Sequence, residues 1–113
     1  MERYCYLALV VSVHDGDTFT ANFDLGMGVQ MQSQKVRLRD VAAPELNEQH
    51  GPEAGKYLRD MIFAQRVMVR THKDNKERKE KYGRWLGDVF VQQSGEWVSV
   101  NAAVNEWLST RSV

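Results

Sequence analysis

Residues 4 to 23 read Tyr4-Cys5-Tyr6-Leu7-Ala8-Leu9-Val10-Val11-Ser12-Val13-His14-Asp15-Gly16-Asp17-Thr18-Phe19-Thr20-Ala21-Asn22-Phe23. The part up to Val13 is rich in aromatic and β-branched side chains, which suit the pleated, half-buried surface of a strand. It stops at His14-Asp15-Gly16-Asp17, where an Asp-Gly step marks a tight reversal. Beyond the reversal, Phe19, Ala21 and Phe23 alternate with Thr18, Thr20 and Asn22, so the second strand has one apolar face and one polar face. The stretch predicts a β-hairpin.

Outward from this hairpin, Asp24-Leu25-Gly26-Met27-Gly28 supplies a second reversal, and Val29 to Val41 reads as a third strand completing a meander. Ala43-Pro44 breaks that strand, because proline lacks a ladder donor and pushes its predecessor toward extended geometry. A loop to Gly51 follows. Pro52 and Glu53 suit the first turn of a helix, and Ala54, Tyr57, Leu58, Met61 and Ile62 form one apolar stripe, which predicts a helix over Pro52 to Phe63. Val67 to Thr71 is a fourth strand and Trp85 to Val91 a fifth, with the charged segment between them a loop. Ser94-Gly95 then turns the chain into Trp97-Val98. Val100, Ala103, Val104, Trp107 and Leu108 have the spacing of a final helix, capped by Asn101 or Ser99. Five short strands with a helix after the third, and another helix at the end, give an α+β fold of the OB type, a Greek-key barrel. Residues 1–113 are expected to form one domain, without internal repeat or linker.

Composition agrees with this size. The 113 residues are 42% hydrophobic and 27% charged, the balance of an ordinary soluble domain able to bury a core without cross-links. Cys5 is the only cysteine, so no intrachain disulfide and no Cys/His zinc cluster can form, and a reducing compartment is expected. His14, His50 and His72 lack ligand spacing and read as surface or loop residues. The first residues carry no secretory-signal pattern, which predicts a cytoplasmic or otherwise intracellular protein. With a mean hydropathy of -0.52 and no apolar run near the ~20 residues that a bilayer requires, no membrane span is expected.

Fifteen basic and fifteen acidic residues leave no net charge, which argues against tight nonspecific duplex binding by counterion release alone. The charges are uneven, however. Lys73 to Arg84 holds six basic residues against three acidic ones. Such a run is ordinarily a solvated loop, but this one ends in Lys81-Tyr82-Gly83-Arg84.

Three separated pieces carry complementary polar groups: Asp15-Gly16-Asp17-Thr18, Arg37-Leu38-Arg39-Asp40-Val41-Ala42-Ala43-Pro44-Glu45, and Tyr82-Gly83-Arg84. Each has an ordinary reading as a turn, a strand end or a reversal. Together they hold what metal-assisted phosphodiester hydrolysis requires: carboxylate oxygens for a hard cation, a carboxylate to orient or deprotonate water, and two guanidinium groups to clamp phosphate.

With Gly51-Pro52-Glu53-Ala54 and Val100-Asn101 also in order, the chain over about residues 8 to 108 resembles the staphylococcal nuclease (thermonuclease) family. The resemblance implies an OB-fold barrel that cuts single-stranded or frayed DNA and RNA with calcium, other divalent cations being possible, and leaves 3'-phosphate ends. It also implies roles. Asp17 corresponds to the directly ligating carboxylate, Asp15 to an outer carboxylate acting through water, and Ala43 to a ligating backbone carbonyl. Glu45 corresponds to the residue that positions or deprotonates water. Arg37 corresponds to the phosphate-gripping arginine near the metal, Arg84 to the arginine opposite it, and Lys81 and Tyr82 to residues lining the nucleotide site.

The sequence departs from the family in two places. Ala42 stands where a second ligating carboxylate is expected, and Asp40, sharing a face with it on an extended segment, is the candidate substitute. The family's further aromatic-bearing helix has no counterpart after Leu108, so Trp85, Trp97, Trp107 or another chain would have to wall the base, although tryptophans serve more commonly in the core. Three functions follow: a metal-dependent nuclease, a nucleic-acid or nucleotide binding module with weak or lost catalysis, and a protein-interaction barrel. Retention of Glu45 and both arginines favours the first.

Overall fold

A computed structural model describes residues 5–41, 51–71 and 84–111. The order of elements is β1 (Cys5–Asp15), β2 (Thr18–Gly26), β3 (Val29–Leu38), α1 (Gly51–Ile62), β4 (Arg66–Thr71), β5 (Trp85–Gln93), β6 (Glu96–Ser99) and α2 (Val100–Arg111). The expected hairpin is present, with Asp15 facing Thr18 across the two residues Gly16 and Asp17. β1 pairs antiparallel with β2 and β4, β2 with β3, and β4 with β5. A short parallel pairing, Val36 with Trp85, Arg37 with Leu86 and Leu38 with Gly87, joins β3 to β5. That last pairing closes β1-β2-β3-β5-β4 into a five-stranded barrel, the α+β OB-type architecture read from the sequence.

β1, β2 and β5 run past their expected ends, to Asp15, Gly26 and Gln93, and two further boundaries differ. β3 ends at Leu38 rather than Val41, because Asp40 enters the left-handed region at φ 59 and turns the chain out of the ladder. Trp97-Val98 belongs to a sixth strand, β6, which adds to the edge of β5 outside the closed ring. Residues 42–50 and 72–83, expected as loops, lie outside the described residues.

Phe19, Ala21, Val36, Leu38, Val69 and Val89 are buried inside the barrel, as the alternation in β2 foretold. The stripe on α1 closes one end of it through Leu58 and Ile62. Ala64 takes φ 61 just after the helix, and its N–H donates to the Val10 carbonyl at 3.2 Å while Val10 N–H donates to Gln65 at 3.0 Å. These bonds pin the helix exit to β1. None of the three tryptophans belongs to the core, against their commoner use. Trp107 stacks on Tyr57 at 5.2 Å between the helices, Trp85 is half-buried with its indole N–H donating to Gln34 Oε1, and Trp97 is exposed.

The two candidate caps of α2 separate in role. Ser99 caps the helix, its Oγ accepting from Ala102 N–H at 3.1 Å. Asn101 is buried instead and ties three segments: its Oδ1 accepts from Val89 N–H at 2.9 Å, and its Nδ2 donates to the carbonyls of Arg39 at 2.9 Å and Gly87 at 3.1 Å. Gly87 sits at this junction for a steric reason, since a Cβ there would stand 2.9 Å from Val69 Cγ1.

Asn101→Ala would leave the Val89 N–H and the Arg39 carbonyl without their Asn101 partner and remove one of the two donors to the Gly87 carbonyl. It is expected to cost about 2–4 kcal/mol of unfolding free energy in urea titration. A loss below about 1 kcal/mol would show that water or a neighbour replaces the tie.

Candidate active site

The site is built on the first hairpin and completed by barrel closure. Asp15 Oδ1 accepts the Asp17 N–H at 3.1 Å, a local turn bond that an aspartate makes readily at this position. The Asp17 carbonyl accepts from Leu38 N–H at 2.8 Å, which locks the turn onto the end of β3. Asp17 is therefore held by its own backbone, and only 7% of the residue is exposed.

Its carboxylate is held as well. The Thr18 hydroxyl donates to Asp17 Oδ1 at 2.9 Å, and Arg37 Nη2 lies 3.7 Å from Oδ2. Arg37 faces Thr18 across the β2–β3 ladder, and its Nη2 also donates to the Val41 carbonyl at 3.3 Å. Arg84, immediately ahead of β5, donates from Nη1 to Thr18 Oγ1 at 3.4 Å. A buried carboxylate survives where opposite charge and donors surround it. Here two guanidinium groups, one from β3 and one just ahead of β5, converge on Asp17-Thr18. A guanidinium is the group best shaped to engage an anion through paired donors.

Asp15, Asp17, Arg37 and Arg84 are thus brought into one group. Asp40 is not. The extended geometry that would have aimed it at Asp17 ends at Leu38; its side chain is 81% exposed beside Arg39 at 3.8 Å, while its carbonyl accepts from Asn105 Nδ2 on α2. In this arrangement the Asp40 carboxylate lies beside Arg39 and not in the group around Asp17. Ala42, Ala43, Glu45, Lys81 and Tyr82 lie outside the described residues. Thr18, quoted in the motif without a role, proves to be the bridge between Asp17 and Arg84. His14, read as a surface residue, places Nε2 3.1 Å from Thr20 Oγ1 on the same face of the hairpin. The alternation Thr18, Thr20 opposite Lys35, Arg37 carried the signal for both.

Calcium-like cations take hard oxygen donors, and the Asp15 and Asp17 carboxylates on one turn are donors of that kind. The donor chemistry fits such an ion. Among the described residues, no third acidic, histidine or cysteine side chain joins them.

Comparison with known proteins agrees with this architecture. Residues 35–108 match the family model described as Staphylococcal nuclease homologue. Over 82 residues, 73% of this chain, the sequence is 38% identical to Protein ParB of Escherichia coli and 38% identical to Micrococcal nuclease of Shigella flexneri, covering 40% and 41% of those proteins. It is 33% identical over 84 residues, 74% of the chain, to an uncharacterized endonuclease of Haemophilus influenzae, covering 42% of it. The match spans about two fifths of the length of each of these curated relatives. With the barrel closed in OB order and the hairpin carboxylates set between Arg37 and Arg84, the chain belongs to the staphylococcal nuclease family.

Proposed function

We propose that this domain is a metal-dependent phosphodiesterase that hydrolyses single-stranded DNA or RNA. The observation that carries this reading is the convergence on the Asp17-Thr18 pair of Arg37 from β3 and Arg84 from just ahead of β5. A phosphodiester entering there meets guanidinium donors on two sides, which hold it in place and offset the charge that grows on its oxygens during attack. The names of two matched relatives, a micrococcal nuclease and an endonuclease, support the same chemistry.

Asp17, with Asp15 through water and the Ala43 carbonyl, would hold a divalent cation, calcium by the family resemblance; bound there, the ion supplies positive charge beside the phosphate. Glu45 orients a water molecule and takes its proton as the water oxygen bonds to phosphorus and the bond to the leaving ester oxygen breaks. Arg84 steadies the phosphate from the side opposite Arg37. Lys81 and Tyr82 line the nucleotide site in this proposal.

A second reading, a nucleotide-binding module of the same fold with weak or lost catalysis, rests on Ala42, whose methyl group stands where the family carries a ligating carboxylate, and on the turning away of Asp40. Both readings retain the arginine clamp. They part at the metal.

Glu45→Gln is expected to lower turnover on single-stranded DNA at least ~100-fold with an unchanged fold, because an amide cannot accept the proton. Equal rates would remove Glu45 from the mechanism. Arg37→Lys and Arg84→Lys, which keep charge and lose the planar fork, are each expected to weaken binding of a nucleoside bisphosphate or slow cleavage by about tenfold or more. Titration curves matching the parent would place the phosphate elsewhere. Ala42→Asp is expected to tighten calcium binding in calorimetry and to raise cleavage with it, the gain disappearing in EDTA. Tighter calcium binding without faster cleavage would select the binding-module reading.

A further inference from the structure

We infer that the cross-strand row on the outer face of the β1–β2–β3 meander where Lys35 stands opposite the buried Thr20 holds a second, flanking phosphate of the same nucleic-acid strand, with exposed Lys35 as its principal contact and exposed His14 beside it. This rests on the proposed phosphodiesterase reading and adds to it the register in which a strand lies on the barrel. Thr18 faces Arg37 across the β2–β3 ladder, and Thr20 faces Lys35 one repeat further along. Alternate residues of a strand share a face about 7 Å apart, so the Thr20-Lys35 pair reproduces the Thr18-Arg37 pair one step away from the site. That step is comparable to the separation of neighbouring phosphates in an extended single strand.

The groups on this face suit a phosphodiester. Lys35 is exposed and has no ion-pair partner among the described residues, so its ammonium group is available to an anion. Ser12, paired with Thr20 on the other side of β2, adds a hydroxyl. His14 Nε2 shares its hydrogen bond with the Thr20 hydroxyl, which fixes the ring over this row. Further along the same face Asn22 accepts from Ser33 N–H and Asp24 from Gly26 N–H, so neutral and then acidic side chains follow the Lys35 step. On β2 and β3 themselves the basic row therefore spans the Arg37 position and one flanking position, with Arg66 of β4 lying further along beside Asn22 and Asp24. A charge at the second position lets a polynucleotide gain contact energy that a single nucleotide cannot.

The test is binding of di- and octathymidylate, measured by fluorescence anisotropy in EDTA over a series of salt concentrations. The parent is expected to bind the octamer more tightly than the dimer, which carries one phosphodiester. Lys35→Gln should remove most of that increment, leave the dimer affinity unchanged, and reduce the slope of log affinity against log salt by about 0.7, the value for one phosphate contact on a single strand. Lys35→Arg should preserve the increment. Lys56→Gln, on the outer face of α1 and paired with Asp60, is the charge control and should leave the slope at the parent value. Unchanged octamer binding and slope in Lys35→Gln, with Arg37→Gln still weakening the dimer, would overturn the flanking site and leave the phosphodiesterase reading standing. Equal weakening of dimer and octamer by Lys35→Gln would overturn it by assigning Lys35 to the central phosphate. A parent that neither binds nor cleaves would overturn both.

Discussion

The short parallel contact between β3 and β5 is the constraint on which the molecule depends. Only three register pairs form it, Val36 with Trp85, Arg37 with Leu86 and Leu38 with Gly87. Without it the strands make an open sheet, and residues 37 and 84 have no reason to meet. With it, Arg84 is delivered to Thr18 from the start of β5 while Arg37 reaches the same turn from β3. Such a contact is thinly hydrogen-bonded, and the fold reinforces it from outside. Arg39 N–H and Asn101 Nδ2 both donate to the Gly87 carbonyl, and Asn101 also binds Val89 and Arg39. The Val-Asn pair at the start of α2 thereby acts on the site at a distance, by holding the barrel shut.

The hairpin turn is the second element of this logic. A buried carboxylate unbalances a fold unless charge and donors meet it, and Asp17 receives both from side chains that a phosphate would also engage. Arg37 stands at 3.7 Å, beyond a short hydrogen bond, and the Thr18 hydroxyl serves two partners. An anion entering the group can therefore compete for arginine donors without dismantling the hairpin, because the Asp17 backbone is held independently, its N–H donating to Asp15 Oδ1 and its carbonyl accepting from Leu38 N–H. Stability and ligand contact fall to different atoms of the same few residues.

Much of this could be read from the order of residues. Alternation in β2 and the apolar stripe of α1 are local signals; the first fixed the start of its strand at Thr18, which then runs three residues past Phe23, and the second specified its helix to within a residue at each end. Asp15, Asp17, Arg37 and Arg84 were legible because motif order carried them. The misreadings have a common physical origin: they turned on tertiary contacts. Asp40 looked extended until Asn105 of α2 took its carbonyl and its φ became positive. Asn101 looked like a cap until it was buried among three carbonyl and amide groups. The tryptophans looked like core residues because size favours burial, yet small and branched side chains such as Ala21, Val36 and Val69 fill the narrow barrel.

The neutral charge of the whole chain and an anionic ligand are compatible because the field that matters is local. On the face that runs from the turn along β2 and β3, Lys35, Arg37 and Arg84 stand against Asp15 and Asp17 at the turn and Asp24 further along, three positive groups to three negative. Two of the three negative groups are gathered at one turn, where the family resemblance would place a cation. Occupation of such a site would cancel the carboxylates and leave the basic row dominant. The same sequence therefore reads as neutral in bulk, mixed at the bare hairpin, and positive toward a polyanion once hard-cation chemistry is satisfied. Net charge predicts weak nonspecific attraction to nucleic acid, and under the proposed function the hold on phosphate would depend on placement rather than excess.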